Sequence, residues 1–262
     1  MKTRSFTVGR FGPRLRGLRW LLLLALFFRA GTVFAADVQA QFDAANKLYA
    51  EGKFAAAAAA YEKIVRSGAV SAALYFNDGD AELKAGHLGR AIAAYRRAAL
   101  LAPRDAETRA NLAFARSQVE GPTLRESHWE NWLGQLTLNE WTTLTMVAFW
   151  LTFALLVLGQ IRPALKPSLR AGARGAAVVT IFLGACLGWE AARQLSIKTA
   201  VVVAPKAVAR SGPFDEAQQA FAVHDGAELV VRDERNGWLQ VGDGATHIGW
   251  LPRDQVEVIA GG

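Results

Sequence analysis

Hydrophobic positions follow three different rules along this chain. Between residues 37 and 120, small and apolar residues recur at helical spacing. Gly52 and Gly86 lie 34 residues apart, as do Ala57 and Ala91, and Tyr61 and Tyr95. Beyond residue 140, two runs lose their polar face altogether: Trp141–Ile161 holds 21 residues without a charge, and Gly175–Trp189 holds 15. After residue 197 the pattern is that of short strands, with β-branched clusters broken by Asn-Gly and Asp-Gly. These rules predict a multi-domain chain of helical hairpins, two membrane helices and a small β domain.

A period of 34 with helical patterning is the tetratricopeptide signature. The first unit reads Gln41-x2-Ala44-Ala45-x2-Leu48, then Ala57-x3-Tyr61. The second reads Tyr75-x2-Asp78-Gly79-x2-Glu82, then Ala91-x3-Tyr95, and closes at Pro103. Small residues let the two helices of a unit cross closely, and the aromatic fills the gap to the next unit. Gly52 and Gly86 permit the turns between helices. Asp78 and Glu82 stand where apolar residues usually pack, which predicts a loosened helix or a groove of unusual polarity. A third helix over Ala106–Gln118 lacks a partner helix and is expected to cap the array. Two and a half units over residues 37–120 make a small concave surface, suited to a peptide or a partner helix. Asn46, Tyr49, Asn77 and Asp80 are its candidate contact residues.

The run Trp141–Ile161 reaches roughly 30 Å as a helix, enough to span a bilayer core. The second span, over 175–193, is short, but Arg174, Glu190 and Arg193 flank its apolar part and can snorkel. Between the runs, residues 162–174 carry Arg162, Lys166, Arg170 and Arg174 and no acid. Basic loops stay cytoplasmic, so both ends of the hairpin are expected outside. Gly184 and Gly188 form a G-x-x-x-G pair that allows close helix approach in lipid. Residues 1–36 read as a signal peptide: a basic stretch, apolar Trp20–Phe28, and Val33-Phe34-Ala35 before the cleavage point. An uncleaved anchor is the alternative. Either way the first domain is placed outside, which in a bacterial inner membrane means the periplasm. Residues 121–140 approach the membrane, and Trp129, Trp132 and Trp141 suit a headgroup-level belt.

Charge and cysteine narrow the reading. The net charge of +7 resides mostly in the leader, whose seven basic residues meet no acid; the rest balances at 23 basic and 23 acidic residues. No basic patch points to nucleic acid. The single cysteine, Cys186, permits no intramolecular disulfide and is expected to be a small packing residue.

Residues 197–260 predict five strands: Ala200–Val203, Ala227–Arg232, Trp238–Val241, His247–Leu251 and Val256–Ile259. Asn236-Gly237 and Asp243-Gly244 mark turns. The stretch Lys206–His224 is expected as the wide loop of an SH3-like barrel. Phe214, Trp238 and Trp250 are candidates to line a ligand groove there, with core packing as the alternative for both tryptophans. Catalytic patterns are missing. His224-Asp225 reads as a turn, and His87, His128 and His247 are scattered. No H-E-x-x-H, G-x-S-x-G or Walker loop occurs, so no enzyme activity, metal or cofactor is expected.

The order of parts resembles the BatE-type proteins of Bacteroides aerotolerance operons. The stretches that carry the likeness are Gly86-His87-Leu88-Gly89-Arg90-Ala91-Ile92, Asn111-Leu112-Ala113-Phe114-Ala115-Arg116, Leu138-Asn139-Glu140-Trp141, and the pairs Gly237-Trp238 and Gly249-Trp250. The resemblance implies a membrane-bound, non-enzymatic component. It would work beside von Willebrand A-domain membrane proteins and a MoxR-type ATPase, in envelope stress tolerance. Two functions compete: a scaffold whose repeats hold a partner segment, and a peptidoglycan-binding or wall-sensing protein acting through the β domain.

Overall fold

A computed structural model of the chain describes residues 37–124, 127–196, 198–244 and 247–259. The leader expected over 1–36 lies outside them. The described residues form eight α-helices and one antiparallel sheet of seven strands.

Five helices come first: α1 over 37–50, α2 Phe54–Arg66, α3 Ala72–Ala85, α4 Leu88–Leu101 and α5 Ala106–Ser117. They pack as successive antiparallel neighbours. Ser71 caps α3 by accepting from the Leu74 backbone N–H at 3.1 Å, and Gly86 ends it at φ 86°. A left-handed residue at that place favours glycine. Gly79 lets α3 and α4 touch: a Cβ there would meet the Tyr95 ring at 2.7 Å. Helix α3 is intact despite Asp78 and Glu82, so it is not loosened. Both acids are buried instead.

A short helix α6, His128–Leu133, leads to α7, Leu138–Ile161. Both begin with a capping box, in which Ser127 or Thr137 exchanges bonds with Glu130 or Glu140. Helix α7 starts three residues before the uncharged run because that box reaches back to Thr137. Helix α8 runs from Lys166 to Ser196. The basic connection is therefore much shorter than the expected loop over 162–174. Only Arg162 and a 3-10 turn, Pro163–Leu165, separate the helices. Pro167 falls in the first turn of α8, where a missing N–H costs nothing.

Helices α7 and α8 are both long and apolar enough to cross a membrane, and only 11% of each apolar window is buried within the protein. Thr152 and Thr180 join them through a hydroxyl contact of 3.1 Å. The G-x-x-x-G pair does not mediate a close crossing of α7 and α8. A Cβ on Gly184 would only just touch Thr145, and one on Gly188 would meet nothing. Cys186 packs with Leu133 and Trp141, whose indole N–H donates to the Leu133 carbonyl at 3.1 Å. Trp141 is thus buried, while Trp129 and Trp132 stack at 5.3 Å and stay half-exposed.

The sheet follows α8 after a single intervening residue. Its strands are β1 Lys198–Val202, β2 Lys206–Arg210, β3 Gln219–His224, β4 Glu228–Arg235, β5 Trp238–Gly242, β6 Ile248–Pro252 and β7 Val256–Ile259. Their order is β3-β2-β6-β5-β4-β1-β7. The expected wide loop Lys206–His224 is in fact the β2–β3 hairpin. Its inward positions include Ala207 and Ala209, and alanine is a poor strand signal. Asn236 (φ 49°) and Gly237 (φ 78°) turn β4 into β5, as a tight hairpin requires. Gly249 admits β2: a Cβ there would lie 2.9 Å from that of Ala209. Ala200, Leu229, Leu239, Val241 and Leu251 fill the core.

Candidate functional site

Three of the four groove candidates, Asn46, Asn77 and Asp80, fall in a ladder that repeats with the sequence period. Asn46 Oδ1 accepts from the Tyr61 hydroxyl at 2.7 Å and from Asn77 Nδ2 at 3.0 Å. One unit later, Asp80 Oδ1 accepts from the Tyr95 hydroxyl at 2.5 Å and from Asn111 Nδ2 at 2.9 Å. Each rung ties the first helix of a unit to its second helix and to the next unit. Tyr49 lies in the same field, edge-on to Phe54 at 5.2 Å. Burial and the nearby Asp80 carboxylate raise its phenol above the usual range. Burial pushes the Tyr61 hydroxyl up to about 12, so it remains a donor at all physiological pH. Asn111 was missed in the sequence, although it stands one period after Asn77.

Asp78 faces the other way. Its Oδ1 is buried without a hydrogen-bond partner. Burial, then the Glu82 and Glu257 carboxylates, push its carboxyl up to about 7, against the opposing pull of Arg97. Glu62 adds a smaller push in the same direction. Glu82 itself accepts from His87 Nδ1 at 2.6 Å, with Arg90 at 3.8 Å. The folded chain holds the Asp78 proton more tightly than the unfolded chain does. Stability from this site is therefore full below the ordinary carboxylate range and is lost as pH rises through about 7. Asp78→Asn is expected to raise the thermal midpoint more at pH 8 than at pH 5, with a difference of roughly 2–4 kcal/mol. Equal gains in paired melts at those two pH values would contradict this account.

A second site joins the repeats to the sheet. Glu228, fully buried at the start of β4, accepts from Arg96 Nη1 at 2.6 Å and from Arg116 Nε at 3.0 Å and Nη2 at 2.9 Å. The Leu124 backbone N–H adds a fourth bond at 3.1 Å. Burial alone would push this carboxyl up, but Arg96 and Arg116 overcome it and hold it below the usual carboxylate range. Arg97 pairs with Glu257 at 2.9 Å. Asp225 Oδ1 accepts from the Gly89 backbone N–H at 3.0 Å, which gives the His224-Asp225 turn a docking role. Val201 and Ile259 of the sheet pack into one cluster with Ala91, Ile92 and Tyr95. None of these contacts was visible in the sequence, since their partners lie more than 100 residues apart.

Two of the three groove candidates of the sheet share a face. Trp238 and Trp250 lie on the face opposite the core residues Leu239 and Leu251. Trp250 is buried there, with the Arg235 guanidinium 5.8 Å from its ring. Trp238 is half-buried. Phe214 is exposed in the β2–β3 loop, close against Gly212, and no ring contact joins it to either tryptophan. Among the described residues, no three of His, Cys, Asp and Glu converge as metal ligands do. No known family model matches the chain. No curated protein matches it either.

Proposed function

We propose that the chain is a non-enzymatic scaffold of the bacterial inner membrane. In this reading α1–α5 are tetratricopeptide units, α7 and α8 are a transmembrane hairpin, and the sheet is an SH3-like domain. The repeats and the sheet face the periplasm, and the repeat groove holds a segment of another envelope protein. Von Willebrand A-domain proteins and a MoxR-type ATPase system are the proposed partners, in an envelope stress or aerotolerance complex.

The observation that carries the reading is the ladder of Asn46, Tyr61 and Asn77, repeated by Asp80, Tyr95 and Asn111. Regular rungs of this kind stack helical units and leave one face lined by their first helices. The unburied apolar surface of α7 and α8 supports the membrane hairpin, because a soluble core helix would be covered. The wall-binding reading has less support, since Trp250 is buried.

Co-purification from detergent-solubilised membranes tests the scaffold. Tyr49→Ala combined with Asn77→Ala is expected to reduce recovery of the envelope partner about tenfold, as losing a central contact does. Unchanged recovery from variants that still melt cooperatively would sink the groove.

A further inference from the structure

Arg97 faces acids on both sides of the junction between the repeats and the sheet. From α4 it donates through Nη1 to Glu257 of β7 at 2.9 Å, and through Nη2 to the Val258 carbonyl at 3.5 Å. Its guanidinium carbon also lies 5.9 Å from the centre of the Tyr75 ring on α3. Asp78 follows Tyr75 by three residues, so the two side chains stand about one turn apart on the same face of that helix. Asp78 is buried, and its Oδ1 has no hydrogen-bond partner. Arg97 is close enough to attract this carboxyl, yet its bonds go to β7.

The groups around Asp78 decide which acid Arg97 takes. Tyr61 and Glu62 face it from α2, Glu82 from its own helix, Arg97 from α4 and Glu257 from β7. Glu62 is paired with Arg66 at 2.6 Å. Glu82 is paired with His87 at 2.6 Å and has Arg90 at 3.8 Å. Of the five groups facing Asp78, Arg97 alone is a cation. Burial, then Glu82 and Glu257, push the Asp78 carboxyl up to about 7. While neutral, it makes no claim on Arg97. Once ionised, a buried carboxylate with a bare oxygen is costly unless a cation reaches it. Arginine keeps its charge throughout that range, so it is the partner an ionised Asp78 recruits.

We propose that the junction holds a proton-operated latch: with Asp78 neutral, Arg97 fastens β7 to α4, and ionisation of Asp78 draws Arg97 across and releases the β7 edge. The fastening is full below the ordinary carboxylate range and is lost as pH rises through about 7. The β4 side stays fastened. There the burial of Glu228 is outweighed by Arg96 and Arg116, which hold its carboxyl below the usual range and so keep it charged. The sheet hinges at Glu228 and stays on the repeats.

Hydrogen exchange of the full chain in detergent, at pH 5 and pH 8, reads the latch once each rate is divided by that of an unstructured amide. Protection of the Val256–Ile259 amides is expected to fall roughly tenfold at the higher pH. Protection of Leu239 and Val241, in the sheet core, is expected to hold. Asp78→Asn cannot ionise and should keep β7 protected at both pH values. Arg97→Gln should leave β7 poorly protected at both. Both variants should still melt cooperatively. Equal β7 protection at the two pH values in the parent overturns the proposal. So does a fall that persists in Asp78→Asn or in Arg97→Gln, or one shared equally by Leu239 and Val241.

Discussion

Glu228→Ala is expected to destabilise the folded chain by about 3–5 kcal/mol, the usual cost of removing one partner from a buried ion pair. The alanine leaves Arg96 and Arg116 facing each other with no carboxylate between them, and strands the Leu124 N–H. Like charges at that separation repel, and neither guanidinium can lose its proton. Helices α4 and α5 should then part from β4, while the core of each domain survives. Glu228→Gln keeps the shape and an acceptor but not the charge, and should fall between. Thermal melts give the size of the effect. Hydrogen exchange gives its place: amides of β1, β7 and α4 should exchange faster, and those of α2 should not. An alanine variant that melts like the parent would show that the triad does not hold the domains together.

Gly89→Val should separate the same surfaces by steric means. A Cβ at Gly89 would lie 2.0 Å from the Val202 carbonyl oxygen and 2.5 Å from Asp225 Oδ1. The first neighbour is backbone and cannot swing aside. The expected loss is about 3 kcal/mol, at the upper end of overpacking costs. Gly89→Ala makes the sign informative. Within a free helix, alanine in place of glycine stabilises by roughly 0.5–1 kcal/mol. Against a docked sheet it must destabilise. A gain in melting temperature for Gly89→Ala in the full chain would mean that α4 and β1 are not in contact in solution.

The parts of this fold that repeat, or that are long and apolar enough to cross a membrane, were the legible ones. Tyr61 and Tyr95 announce the period because each fills the same gap, and the hydrogen-bond rungs obey it too. Asn111 could have been found by adding one period to Asn77. The uncharged run after Trp141 announces a long apolar helix, and α7 covers it. Strands β2 and β3 were lost because alanines interrupt both of them, Ala207 and Ala209 inward and Ala220 and Ala222 outward, so no β-branched run marks them. The onset of α8 was misplaced because a basic segment was taken for a loop, although Ala, Leu, Lys and Arg favour helix. The docking of sheet on repeats was illegible for a different reason. Ion pairs such as Arg96–Glu228 obey no period, and both residues look like ordinary surface charges in the sequence. Asp78 and Glu82 were the one hint, as acids at inward positions of α3.

The docked interface closes the chain into a ring. The polypeptide leaves the repeats after α5, crosses to α7, returns along α8, and is fastened back where Glu228 meets Arg116. Helix α8 ends at Ser196 and β1 begins at Lys198, so the returning limb has a one-residue joint. A ring with so short a joint has little slack. Torque on the α7–α8 pair, from a change in its tilt, reaches the sheet directly and passes through α4 to the repeats. The molecule is built less like a bait on a tether than like a bracket bolted at both ends.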